Sequence, residues 1–162
     1  MATASTPRLA PLRDPLLLIA RVVVGVVFMA HGWQKIGQNG LEATTQGFSG
    51  MGVPMPEIAA PVVAYAELIG GALLVLGLLT GFAGLVLAID MVVAALLVHA
   101  SAGIFVTAGG WELVGALGAA ALMLAAVGPG RLALDHLFGS KRGSRRRASA
   151  RSASTASAGA SS

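Results

Sequence analysis

Arg21, Glu67 and Asp90 are ionisable residues set inside long apolar runs of this 162-residue chain. A charge at membrane depth costs about 3 kcal/mol even on the lenient insertion scale. Residues that costly face a bundle interior, pair with one another, and mark function. Helix rise puts Asp90 about 14 Å and Glu67 about 18 Å from the short link between their two segments, so the acids sit at similar depth on neighbouring helices. Arg21 lies about 8 Å into its own segment, and its long arm extends that reach, so an Arg21–carboxylate pair is expected. Small residues share these faces: Gly25 with Arg21, Gly70 and Gly71 with Glu67, and Ala94 with Asp90. Such residues let helix backbones approach closely. Two carboxyls against one guanidinium leave one negative charge unmatched. That arrangement suits proton exchange or ligand anchoring, and it equally suits a lock that only joins helices.

A second polar group is expected toward the opposite membrane face. His31, Gln34 and Lys35 fall at i, i+3 and i+4, on one helical stripe. His99 and Glu112 stand at comparable height, and Lys35 and Glu112 form a candidate ion pair. His31 and His99 are the minimum for a bis-histidine haem, but no further paired histidines support one, and haem is disfavoured. No closed set of four zinc ligands is evident, so no metal is assigned. Asp90 and His99, nine residues apart, belong to opposite faces of a straight helix, which argues against one continuous polar path. The chain has no cysteine, which excludes disulfides, thiolate catalysis and cysteine-held iron–sulfur clusters within it.

The elements that must position these residues are four apolar segments near 16–36, 58–79, 82–100 and 111–128. Each is about 20 residues, the length needed to cross a hydrocarbon core of about 30 Å. Backbone in lipid must satisfy its own hydrogen bonds, so the segments are helices. With 56% hydrophobic and 11% charged residues, the chain is too apolar for an ordinary soluble domain. The first run is too long for a signal-peptide core and is interrupted by Arg21, so it is read as a retained helix.

Residues 37–57 read as a long Gly-rich loop broken by Pro54 and Pro56, and residues 77–81 as a tight hairpin. Gly128-Pro129-Gly130 stops the fourth helix. Residues 131–138 read as a short interfacial amphipathic helix, with Arg131 and Asp135 at the spacing of an i, i+4 ion pair.

The expected fold is therefore all-α: a four-helix transmembrane bundle over 16–138, between a disordered lead (1–15) and a disordered basic tail (139–162). In the tail, Lys141, Arg142, Arg145, Arg146 and Arg147 suit anionic lipid headgroups. It has no aromatic residue for base stacking, and nucleic acid is not an expected partner. Arg8, Arg13, Arg131 and the tail place both termini on the cytoplasmic side of the membrane.

Arg21, His31-Gly32-x-x-Lys35, Glu67-x-x-Gly70-Gly71, Gly77-x-x-Thr80, Asp90-Met91, His99, Gly109-Gly110-x-Glu112 and Gly128-Pro129-Gly130-Arg131 with Asp135 follow one another in an order that resembles the DoxX family of small bacterial membrane proteins. The resemblance covers residues 16–138 and implies a four-helix membrane bundle. Family members are associated with terminal quinol oxidases and sulfur oxidation. Mycobacterial relatives are linked to a membrane oxidoreductase assembly with superoxide dismutase and a thiosulfate sulfurtransferase. The resemblance implies no catalytic mechanism.

Three functions stay open. The first is a membrane subunit holding redox or detoxification enzymes at the cytoplasmic face, alone or as a homo-oligomer. The second is a site for a quinone or other lipophile with proton exchange at the carboxyls. The third is a small-molecule transporter. A lipophile-sized cavity lined by the buried polar residues would favour the second.

Overall fold

The computed structural model describes residues 10–136, which fold into helices without strands. Helix α1 (Arg13–Trp33) runs on into a π-helical stretch, Gln34–Gln38. Helix α2 is Leu41–Gly50 and α3 is Pro56–Leu76. Helix α4 (Thr80–Ala94) continues through a second π-helical stretch, Ala95–His99, and one 3₁₀ turn, Ala100–Ala102. Helix α5 is Glu112–Val127.

Three helical stretches, Arg13–Gln38, Pro56–Leu76 and Thr80–Ala102, are long and apolar enough to cross a membrane. The fourth, α5, is apolar but has only 16 residues. It spans about 24 Å, less than the hydrocarbon core of about 30 Å.

The burial pattern is inverted relative to a soluble protein. Ile19, Val23, Ile69, Phe82, Ile89 and Leu96 are exposed, whereas Arg21, Glu67 and Thr80 are buried among alanines. Lipid offers apolar side chains no penalty, so helices associate instead through small residues that permit close packing. Two pairs form this way, α1 on α3 and α4 on α5, and the contact between α3 and α4 is looser. A Cβ built on Gly71 would fall 2.5 Å from the Gly25 carbonyl oxygen, and one built on Gly32 would fall 2.7 Å from the Ala64 oxygen. In the second pair, a Cβ on Gly84 would fall 2.7 Å from the Ala121 oxygen. Any side chain at these three positions would push the backbones apart.

The segment 37–57 is not the open loop expected from its glycines. Leu41, Thr44 and Phe48 recur at helical spacing and turn inward as α2, with Thr44 buried. The Thr44 hydroxyl lies 2.9 Å from the carbonyls of both Gly40 and Lys35, tying α2 to the end of α1.

At the other end of the bundle, a strap after α5 binds elements that are remote in sequence. The Arg131 amide donates to the Asp14 carboxylate (3.1 Å), and Arg21 donates to the Leu132 carbonyl (2.7 Å). Asp135 accepts from the Leu79 and Thr80 amides at 2.9 and 3.0 Å, and its own amide donates to the Gly77 carbonyl. Leu79 has φ 48°, a left-handed conformation costly for a residue with a Cβ. Asp135 holds that conformation and supplies the cap that α4 lacks locally.

The expected Arg131–Asp135 pair is thus replaced, because the α4 amides offer the carboxylate directed donors where Arg131 remains exposed. Of the expected helix over 131–138, a turn at 134–136 is described. Residues 1–9, Leu137, Phe138 and the tail with Lys141, Arg142, Arg145, Arg146 and Arg147 lie outside the described residues.

Replacing Asp135 with Ala is expected to destabilise the bundle by about 2 kcal/mol, from the loss of a charged cap on two amides. Thermal unfolding in mild detergent measures it. An unchanged melting temperature would show that the strap does not hold the hairpin.

Candidate functional site

The antiparallel register of α1 and α3 determines which charges meet. Gly25 lies against Gly71 and Gly32 against Ala64. Side chains on a helix lean toward its N-terminus. Lys35 therefore leans back toward the level of Gly32. Glu67, on the antiparallel helix, leans toward Ala64, which is the same level. Lys35 Nζ and Glu67 Oε2 meet there at 2.5 Å, the single ion pair among the described residues. The Glu67 side chain is 5% exposed and that of Lys35 18%.

The same lean carries Arg21 toward the hairpin, away from Glu67. The expected Arg21–Glu67–Asp90 triad does not assemble as a unit. Arg21 packs against Gly77, donates to Leu132, and feels the charge of Asp135. Its Nε and Nη1 have no hydrogen-bond partner among the described residues. Glu67 and Asp90 do come together. The charges of both Glu67 and Lys35 act on Asp90, whose Oδ2 is buried without a partner among the described residues.

The expected Lys35–Glu112 pair is also replaced. Glu112 Oε1 accepts from the Val106 amide at 2.7 Å and pins the loop before α5. Gln34 is exposed and stands apart from the cluster.

Above Glu67 and Asp90 the two helix pairs separate around a cavity of about 570 Å³. That is the size of a small-molecule site, which is usually mainly apolar with few polar groups. Its polar wall is Lys35, Glu67, Asp90, His31 and His99. Its apolar wall includes Phe28, Met91, Val114 and Leu117, with Phe48 and Met51 closing from α2 and the following link.

His31 Nδ1 lies 2.9 Å from the Val27 carbonyl, and His99 Nδ1 lies 2.6 Å from that of Gly109. In each neutral ring the nitrogen facing a carbonyl must carry the proton, which leaves Nε2 as an acceptor. Among the described residues, no three His, Asp or Glu side chains form a group able to hold a metal ion.

Asp90 and His99 share this cavity although nine straight helical residues would oppose them. The π-helical stretch Ala95–His99 winds less per residue than α-helix and swings His99 back. The first π-helical stretch carries Lys35. The sequence reading missed Phe48 and Met51, whose segment it took for a loop; the apolar spacing of Leu41 and Phe48 was the available signal.

Apolar helices packed through glycines around a cavity with buried charges define a helical membrane protein with an internal small-molecule-sized site. The chain matches the DoxX family model over residues 16–100, and it belongs to that family. It is 33% identical over 129 residues to the Inner membrane protein YphA of Escherichia coli (strain K12), covering 76% of this chain and 90% of YphA. It is 33% identical over 145 residues to the Uncharacterized membrane protein Rv3486 of Mycobacterium tuberculosis, covering 83% of this chain and 88% of that protein. A shorter match, 39% identical over 75 residues, joins 46% of this chain to 53% of a Bacillus subtilis protein named "Putative oxidoreductase CatD". The chain therefore spans about half the length of CatD. No solved structure matches it.

A double-mutant cycle tests the ion pair. Glu67→Leu alone, leaving the Lys35 ammonium unpaired, is expected to cost about 3 kcal/mol, and Lys35→Met/Glu67→Leu is expected to recover most of it. Glu112→Gln in the same melts should leave this coupling intact. A double variant no more stable than Glu67→Leu would remove the pair from the account.

Proposed function

We propose that this protein binds an uncharged, ring-bearing lipophile of the quinone class in the cavity between its helix pairs, as the membrane component of an oxidoreductase assembly. The observation that carries this reading is the cavity itself: apolar walls of ligand size, with Glu67, Lys35 and Asp90 at its floor. A quinone ring suits the apolar walls. Its carbonyl oxygens can accept hydrogen bonds from Lys35, whose ammonium has three donors and gives one to Glu67.

Reduction of a quinone to a quinol takes up two electrons and two protons. The carboxyls of Glu67 and Asp90 are the groups at hand to pass protons. The electrons come from a partner oxidoreductase, in keeping with the name of CatD. On this reading Arg21 has no contact with the ligand and serves the strap. The basic residues at both ends of the chain favour a topology with the hairpin and both termini on the cytoplasmic side, and the cavity in the opposite leaflet.

The test is purification in mild detergent, mass spectrometry of co-purified lipophiles, and calorimetric titration with a short-chain ubiquinone analogue. The wild-type protein is expected to bind it. Lys35→Met/Glu67→Leu, which removes the ammonium donor together with its partner and so leaves no unpaired charge, is expected to weaken binding about tenfold, the equivalent of one charged hydrogen-bond contribution. No binding by the wild type, or equal binding by Lys35→Met/Glu67→Leu, would count against the proposal.

A further inference from the structure

The cavity closes and opens at definable places. Toward the hairpin it is shut: a Cβ on Gly70 of α3 would fall 3.0 Å from Leu87 Cγ of α4, so the two helices touch there. One turn farther on, at Glu67 and Asp90, they part. From this level Val63 and Ala59 line the cavity on α3, Val93 lines it on α4, and Leu97 lines it on the π-helical stretch that continues α4. Val93 and Leu97 are also 44% and 48% exposed. A residue that lines a cavity and lies bare on the outside is its rim.

The outside at this height is lipid. Ile89, Val92 and Leu96 on the same stretch are exposed and apolar, and Val93 lies 13 residues beyond Thr80, about 20 Å into the helix. The tight α1–α3 and α4–α5 packings leave no comparable gap within either pair. The other exposed lining residues, Met51, Pro54, Val106 and Leu113, lie in the links and in the first turn of α5, so the cavity also approaches the surface at the far end of the bundle.

We infer that the cavity is loaded sideways, from the acyl-chain layer of the leaflet remote from the hairpin, through a portal between α3 and α4 bordered by Val63, Val93 and Leu97. This deepens the reading of the cavity as a ligand site and rests on it. The ligand is a molecule already dissolved in the bilayer and meets the carboxyls without crossing water. A planar ring and a flexible tail pass between the valines with the tail left in the lipid.

The absence of native cysteine allows a test that needs no ligand. Nitroxide labels on Val63→Cys and Val93→Cys in liposomes are expected to be relaxed by dissolved oxygen, as at the lipid-facing control Ile89→Cys, and barely by a water-soluble nickel complex. Relaxation dominated by nickel would mean that the opening faces water and would overturn the portal.

A second arm follows transfer of a decyl-tailed ubiquinone analogue from vesicles. Val93→Trp and Leu97→Trp are expected to slow it about tenfold against the wild type, with Leu85→Trp, exposed on α4 nearer the hairpin, unchanged. Wild-type rates in the portal variants, or slowing by Leu113→Trp alone, would overturn the lateral route. A wild-type protein that takes up no analogue would instead sink the proposed ligand class, and the nitroxide arm would still decide where the cavity opens.

Discussion

Backbone contact between α1 and α3, made where Gly25 meets Gly71 and Gly32 meets Ala64, is the constraint on which the rest depends. It brings the helix axes close enough for a lysine and a glutamate from different spans to share a proton-rich contact inside the bundle. A single ammonium or carboxylate at that depth would cost about 3 kcal/mol. Paired, the two can remain beside an apolar hollow. The α4–α5 pair is assembled by the same device, with Gly84 against Ala121. The space left between two such rigid pairs is where chemistry can be housed, because neither pair can relax to fill it.

Much of this architecture was legible from composition and segment length. Lipid removes almost every alternative to a helix, so apolar runs of spanning length translate directly into spans. The exception is the stretch 37–57. Its glycines suggested an irregular link, yet Leu41, Thr44 and Phe48 sit at helical intervals and have a surface to cover. Glycine lowers helix propensity by only about 1 kcal/mol, and burial of one apolar face outweighs that.

The candidate site was legible in its residue types and not in its pairings. Glu67 and Asp90 were placed together by depth alone, and depth is what helix rise measures well. Arg21 and Lys35 were exchanged because depth of a Cα is not depth of a charge. A long side chain displaces its head group by several ångströms toward its own helix's N-terminus. In antiparallel neighbours those displacements converge for Lys35 and Glu67 and diverge for Arg21 and Glu67. His99 was misplaced for a different reason: a π-helical stretch has no sequence signature that helical arithmetic can detect.

The strap at the hairpin end bears on how the molecule is made. Leu132, the acceptor for the Arg21 guanidinium, is 111 positions downstream of it. A ribosome adding about 5–20 residues each second needs several seconds or more to cover that distance. Throughout that interval the first span is in or near the bilayer with its arginine unanswered, and the hairpin lacks the carboxylate that holds Leu79. Assembly therefore cannot be completed span by span from the beginning. The earliest helix waits for one of the last turns to emerge, and biogenesis ends with the tying of a knot whose first loop was laid down at the start.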